Sequence, residues 1–513
     1  MKRIISHAFL FLLALPFVVE ANYITIQNAS VTGATTTTAQ IQYDMFWENS
    51  WRDAINWDAA WVFVKYNTGS GWMHATLSNT GHAAGTATPS PTITISPDFK
   101  GAFIYRSGIS SGVYTITAQQ LRWNFQADGL NQTQATTAQV RIFGIEMVYI
   151  PTGTFALGDG NGLSESSDAL WGGANNFAYA VSATLSPLIS SDNFMFNSTG
   201  AATSIRIHGT QGLDEDGNGT IDNPDYPIGF NHFYTMKYEI SQGQYAEFLN
   251  TLTTSQATAR YHPTLQNRYT ISVSGGIYSA GRPDRACAYI SWSDGCAYAD
   301  WACLRPMTEL EYEKMCRGSI APVLQEYAWG NTSNSWITDN PTFTMAENGT
   351  EVPANTTRNS HYIGATINGG DGSQGPVRVG VTGRSASSRV QSGASFYGVM
   401  NLSDNAIEFY VTIGNVSGRS FRGHHGNGLL FGTTGAADVD YWPGINGNNN
   451  VNAVNTVFSN STGVTQSAGT MPKSDAGCYN YCSARYVSQR QNINVGGTSR
   501  QFTNGNRFGR TAP

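Results

Sequence analysis

Short runs of β-branched and aromatic residues fill the first third of the chain. "YITIQNASVTG", "TAQIQYDMFW", "AAWVFVKYN", "PTITIS" and "GVYTITAQQLRWNF" follow one another, with glycine, asparagine, serine or proline between them. Short strands closed by turn residues predict an antiparallel β-sandwich, immunoglobulin- or fibronectin-like, over residues 22–145. The segment "NSWRDAINWDAAWVFVKY" is rich in tryptophan. Core packing is the first reading of it, and a carbohydrate-binding face the second. No catalytic constellation stands out in this region.

The pattern changes near residue 146. "EMVYIPTGTFALGDG" reads as a strand followed by glycine turns, and a polar Gly/Ser/Asn stretch runs over about 161–227. Helical periodicity surfaces twice. "EISQGQYAEFLNTL" sets a serine before Tyr245, Phe248 and Leu249, which predicts a capped helix. "SWSDGCAYADWACLRPMTELEYEKMCRG" predicts two short helices, the second capped by Thr308 with Glu311 as capping-box partner. Beyond residue 330 the chain reads as long loops and short strands. So large a region with so little regular structure needs staples, either disulfides or metal ions.

The N-terminus reads as an export signal. Lys2 and Arg3 precede the apolar run "AFLFLLALPFVV", and Ala21 offers a small residue for cleavage before Asn22. The run is too short to span a bilayer, and no other segment is long enough. The mature protein is expected to be secreted or held at the cell surface. Charged residues make up 12% of the chain, against roughly 25% in a typical soluble protein. With 12 Trp, 25 Tyr and 24 Phe the composition is not a disordered one. Net charge is −6, which gives no basic footprint for nucleic acid.

All six cysteines, Cys287, Cys296, Cys303, Cys316, Cys478 and Cys482, lie in the C-terminal half. In an exported protein an even count points to disulfides, whose connectivity the sequence leaves open. A calcium loop is read from spacing alone. "DEDGNGTIDNPD" puts Asp214, Asp216 and Asn218 at positions 1, 3 and 5 of a twelve-residue loop and Gly219 at the sharp turn. Thr220 offers its carbonyl, Asp222 takes the ninth place and Asp225 the last. No helices flank it in the sequence pattern, so it is expected to act as a structural clip.

Five segments in order resemble the formylglycine-generating enzyme family, also called the sulfatase-modifying-factor domain. They are "MVYIPTGTF" (147–155), "FYTMKYEISQGQYAEFLN" (233–250), "ISWSDGCAYADWACLRPMTELEYEKMCRG" (290–318), "YAWGN" (327–331) and "YGVMNLSDNAIEFY" (397–410). After the mainly β N-terminal sandwich, the resemblance implies an α+β, loop-rich, C-type-lectin-like domain over 146–513, with insertions at about 161–227 and 427–475. It implies calcium held by Asn401, the carbonyls of Asp404 and Ala406, and Glu408. A further calcium set would be Asn355, or in its place Asn348, with Asp371 and the carbonyl of Ser373.

The family's enzymes oxidise a client cysteine to formylglycine with copper, oxygen and two active-site cysteines. The resemblance places that pair at Cys478 and Cys482, and two soft thiolates suit Cu(I). The arginine-bearing "SARYVSQRQN" fits the family. Three features depart from it. Three residues separate the pair where the family has four, "RGHHG" (422–426) stands for "RGGSW", and the ending reads "RFGR" (507–510). Val487 stands where a third cysteine often follows, so Cys316 lacks its usual disulfide mate and is expected to pair with Cys478 or Cys482. Iron enzymes among the relatives need a histidine triad whose spacing is absent, and His424 and His425, being adjacent, are expected to diverge.

These features favour a non-catalytic, calcium-stabilised binding or surface module whose partner is a surface glycan, a protein ligand or further copies of itself. The Asn-dense "GINGNNNVNAVN" (444–455) reads as a loop on a ligand face or a plain insertion. The alternative is a copper-dependent oxidase of client cysteine. Assembly into a filament or adhesin is a third reading.

Overall fold

In the computed structural model the described residues are 24–158, 170–172, 179–181, 193–195, 205–206, 213–214, 216, 220–333, 335, 353, 357–364, 373–383, 388–413, 416–444, 464–466, 486–487 and 499–513. The apolar runs near the N-terminus form seven strands. These are β1 (Ile24–Thr32), β2 (Ala39–Arg52), β3 (Asp58–Asn67), β4 (Trp72–His74), β5 (Pro91–Ile95), β6 (Ala102–Arg106) and β7 (Ser110–Trp123). In β2 the alternation is plain. Ala39, Ile41, Tyr43, Met45 and Trp47 are buried, and the residues between them are more exposed. Strands β1, β2 and β7 pair as one antiparallel sheet in the order β1-β2-β7. That sheet packs through Tyr43, Met45, Trp47, Tyr114 and Ile116 onto Ala60, Val62 and Ile104 of a larger one.

The larger sheet crosses the boundary predicted at 145/146. Strand β8 (Gln139–Ile150) pairs with β3 from Gln139 opposite Asn67 to Val148 opposite Asp58. On its other edge, Met147–Ile150 pair with β14 (Phe233–Met236), which in turn pairs with β19 (Gly509–Thr511). The run "FGIEMVYI" contains no turn signal, so the strand continues where the composition changes. Its two edges bind the sandwich and the C-terminal region into one sheet of seven strands.

Helices cover the opposite face of the large sheet. They are α2 (Gln242–Leu249), α3 (Thr254–Arg260) and α4 (Trp292–Trp301). Trp301 sits edge-on to Phe63 and Phe143 at 5.1 and 4.8 Å, and Trp61 Nε1 donates to the carbonyl of Ala302 at 2.9 Å. Helix α5 (Glu309–Arg317) instead covers the far end of the sandwich-side face, packing Tyr312, Met315 and Cys316 on Val148, Ile150 and Phe233. Of the tryptophans in the segment read as core, Trp61 is fully buried and Trp51 is half-buried. Trp57 is half-buried, stacked on Tyr149 at 4.0 Å beneath the Arg52 guanidinium at 4.3 Å.

The helix caps follow the sequence. Ser241 and Gln244 close a capping box on α2, Ser291 and Asp294 on α4, and Thr308 and Glu311 on α5. Helix α3 and the short α1 (Gln132–Thr137), α6 (Arg389–Ser392) and α7 (Val416–Arg419) were not predicted, because they are polar and carry no apolar stripe. Within the stretch predicted as a polar insertion, β9 (Phe155–Leu157) pairs with β11 (Tyr179–Val181). There too, β10 (Leu170–Gly172), β12 (Asn193–Met195) and β13 (Ile205–Arg206) form a small sheet. A hairpin of β15 (Ile271–Ser274) and β16 (Ile277–Ala280), and a pair of β17 (Phe409–Val411) with β18 (Val464–Gln466), complete the strands. Among the described residues no helix is long and apolar enough to cross a membrane.

Candidate functional site

The acidic loop begins at Leu213, whose side chain is anchored in the main core. The Asp222 amide donates to the Leu213 carbonyl at 2.8 Å and closes the loop. Further on, Asn223 Nδ2 donates to the carbonyls of Arg419 and Phe421 at 2.9 and 2.7 Å, and Tyr226 is buried. Between these anchors Asp214, Asp216 and Asp222 converge, with ligand oxygens all within 4.8 Å of one another. Asp214 is buried; Asp216 and Asp222 lie nearer the surface. Thr220 is exposed, and Asn218 lies outside the described residues.

Asp225 departs from the predicted ligand set. Its carboxylate faces Arg422 at 3.7 Å, with 59% of the side chain exposed. Arg422 also lies over the Tyr441 ring at 4.2 Å. A last ligand of Asp is one methylene shorter than the bidentate Glu of a calcium loop, and here it turns to the nearest cation.

The end of this loop walls a cavity of about 700 Å³ that Thr220, Asp225, His232, Arg305, Arg422 and Thr511 help to line. Arg305 in its wall grips Glu311 with two bonds, at 2.9 and 2.6 Å. Across Gly423 lies a second cavity of about 610 Å³, lined by Asp98, His424, His425, Asn427, Asp438 and Asp440. Gly423 stands at φ 67°, and a Cβ there would meet Pro227 at 2.8 Å. The two histidines diverge as expected. His424 meets Tyr441 edge-on at 5.7 Å, while His425 Nε2 accepts the Thr511 amide at 3.0 Å. Burial, reinforced by Arg510 and Arg305, holds His425 well below the usual histidine range.

The set at 401–408 forms a closed polar network. Asn401 Oδ1 accepts the Gly380 amide at 2.7 Å, and its Nδ2 donates to Asp404 at 3.1 and 3.2 Å. The Ala406 amide and Asn405 Nδ2 each donate to Glu239 at 2.7 Å. Glu408 accepts from Arg507 Nε and from the Tyr410 hydroxyl, both at 2.6 Å. The expected calcium ligand Glu408 therefore has each carboxylate oxygen bonded to a protein donor. The physical reason is a buried arginine that no motif reading paired with it. Burial pushes Glu408 up, and Arg507 opposes that. Of the further set, Ser373 is half-buried, and Asn348, Asn355 and Asp371 lie outside the described residues.

Cys478 and Cys482 also lie outside the described residues. Cys287, Cys296, Cys303 and Cys316 are buried free thiols. The candidate mates of Cys316, Cys478 and Cys482, lie outside the described residues, so that pairing falls outside them too. Val487 packs in the same apolar cluster as Cys316. The Val487 amide donates to the Glu326 carbonyl at 2.9 Å, and Glu326 in turn accepts from Arg317 Nε at 2.5 Å. Burial pushes the Cys303 thiol up to about 12 and raises the other three as well, which leaves all four unreactive.

The sulfatase-modifying factor enzyme 1-like domain matches residues 193–418. Over those residues this chain resembles a sulfatase-modifying-factor domain. It is similar to formylglycine-generating enzymes from Streptomyces coelicolor (45% identity over 51 residues, 10% of this chain and 16% of that one) and Bos taurus (36% over 76 residues, 13% and 20%). It is also similar to the formylglycine-generating enzyme of Thermomonospora curvata, 42% identical over 50 residues. The matches span a fifth or less of those relatives' length. The acidic loop, Glu239, Arg305, Glu311 and Glu408 fall inside the matched domain, while Arg422, the two histidines and Arg507 lie beyond it.

Proposed function

We propose that this chain is an exported, calcium-stabilised, non-catalytic binding or surface module on a lectin-like sulfatase-modifying-factor scaffold. One observation carries the reading: Asp214, Asp216 and Asp222 converge on a loop whose end walls a cavity of about 700 Å³. Three carboxylates are hard oxygen donors, and calcium takes six to eight such ligands in flexible geometry. Asn218 and the Thr220 carbonyl would add to the set. A cation there fixes a loop that lacks a helix or a long ladder, so its binding free energy becomes folding free energy. The ligand would be a surface glycan, a polar protein segment or a second copy of the chain, received at the cavities on either side of Gly423.

The test is thermal unfolding of the full chain with calcium and with chelator. A site saturated a hundredfold above its dissociation constant adds about 2.7 kcal/mol, which raises the midpoint by a few degrees. Asp214→Asn with Asp216→Asn is expected to abolish the rise, and Asp225→Asn to leave it intact, because Asp225 faces Arg422. Equal midpoints with and without calcium would sink the reading.

A copper-dependent oxidase acting on client cysteine is the second reading. It is favoured by Val487, which brings the chain just beyond Cys482 to the Cys316 cluster of the family domain. Cu(I) titration of the reduced full chain separates the two readings. Stoichiometric binding lost in Cys478→Ser supports the oxidase, and no binding removes it.

A further inference from the structure

Three charged side chains are sealed where the small sheet meets the large one. Asp58 lies on β3 and Glu146 on β8, and Lys237 directly follows β14. Glu146 stands opposite Ala60, and the Lys237 amide donates to the Glu146 carbonyl at 2.9 Å. Asp58 is two residues from Ala60 along β3, so all three side chains share one face of the sheet. Lys237 Nζ is 2.5 Å from Glu146 Oε1 and 3.6 Å from Asp58 Oδ2, with side-chain exposures of 7%, 1% and 0%. Asp58 Oδ1 accepts from Ser50 Oγ at 3.2 Å and from the Trp51 amide at 2.8 Å. Its Oδ2 receives no hydrogen bond.

Within the triad one ammonium faces two carboxyl groups, and the nearby Arg106 guanidinium reaches Asp58 through Ser50 Oγ, to which it donates at 3.0 Å. Burial pushes Asp58 well above the usual carboxylate range; Lys237 opposes this and Glu146 adds to it. Burial thus favours the neutral acid at Asp58. Such an acid is an electrophile, and a lysine amine beside it is a nucleophile. Lys237 Nζ stands 3.6 Å from Asp58 Oδ2, an oxygen on the carbon it would attack, and holding the two groups together replaces a chance encounter by effective molarity.

We propose that Lys237 and Asp58 are joined by an intramolecular amide bond, with Glu146 as the proton carrier. The Glu146 carboxylate takes one proton from the Lys237 ammonium. The freed Nζ attacks Cγ of the Asp58 acid, forming the N–C bond. The C–OH bond then breaks, and the hydroxyl leaves as water with a second proton from the nitrogen. No oxidant is needed, and the product is a secondary amide plus one water with Glu146 protonated. The link ties β3 of the sandwich to the segment after β14 in the family domain.

The full chain is denatured, digested with trypsin and mapped by tandem mass spectrometry. The expected result is a branched species in which the peptide ending at Lys65 is joined to the peptide spanning Lys237. It is one water lighter than the two together, and Lys237 resists cleavage. In Glu146→Gln, checked for folding by circular dichroism, the branched species is expected to fall at least tenfold. Free peptides bearing Asp58 and Lys237, recovered in full from folded wild-type protein, overturn the proposal. A link to Glu146 in place of Asp58 overturns the assignment of roles. The wild-type map decides the matter even where a variant fails to fold.

Discussion

Arg507 shows what holds the family domain together at the scale of single residues. It is fully buried against Glu408 at 2.6 Å and donates to the carbonyls of Met236, Lys237 and Met400. Glu239 lies beside this pair and is pushed well up, first by burial and then by the Glu408 charge. Removing the cation would leave buried carboxyl groups uncompensated. Arg507→Met is expected to lower stability by about 3–5 kcal/mol, read by chemical denaturation. The acidic loop could be read from the sequence because its ligands recur at fixed offsets within twelve residues. Arg507 could not be paired that way, since its partner lies 99 positions earlier. The same holds for Asp58, Glu146 and Lys237. Each is a charged residue inside an apolar run, which is the one local signal that could have flagged it.

At the scale of elements, caps and strand alternation were legible because both are local. Where a strand finds its partner is not. The apolar continuity of β8 was visible in "FGIEMVYI", yet a boundary was expected within it because composition changes there. Short polar helices such as α1 and α3 escaped for want of periodicity, although each carries a capping box. The contact of β3 with α4 also carries a pH response. Burial raises Asp300 from 3.8 to about 7, so the folded state holds this proton more tightly than the unfolded chain does. Its contribution is full below 3.8 and is lost as pH rises through 7. Burial lowers Lys65 from 10.5 to about 7, so its contribution is present above 10.5 and is lost as pH falls through 7. In melts across pH, Asp300→Asn is expected to flatten the falling limb between about 4 and 7 relative to wild type, and Lys65→Met the rising limb above 7. Parallel wild-type and variant profiles would refute this.

At the scale of the whole molecule, the sandwich and the family domain share one sheet and one core. Trp61 reaches the carbonyl after α4, Lys65 Nζ donates to the Gly428 carbonyl at 2.6 Å, and Asn56 Nδ2 donates to the Tyr397 carbonyl at 2.8 Å. A chain beginning at residue 139 would expose one edge of β8 and the face of Val140, Ile142 and Gly144 that packs on the sandwich. It is expected to lack a cooperative thermal transition, and a sharp transition at the wild-type midpoint would show that the sheet is not shared in this way. The family scaffold was legible through five ordered motifs. The interface was not, because contacts between distant segments leave no periodic trace.

The central claim is a sulfatase-modifying-factor scaffold used for binding and not for oxidation. Oxygen uptake by the full, copper-loaded chain with a cysteine-containing peptide tests it most directly. The account predicts no uptake beyond that of the Cys478→Ser, Cys482→Ser double variant. Sustained uptake that disappears in that variant would contradict it and establish the chain as an oxidase.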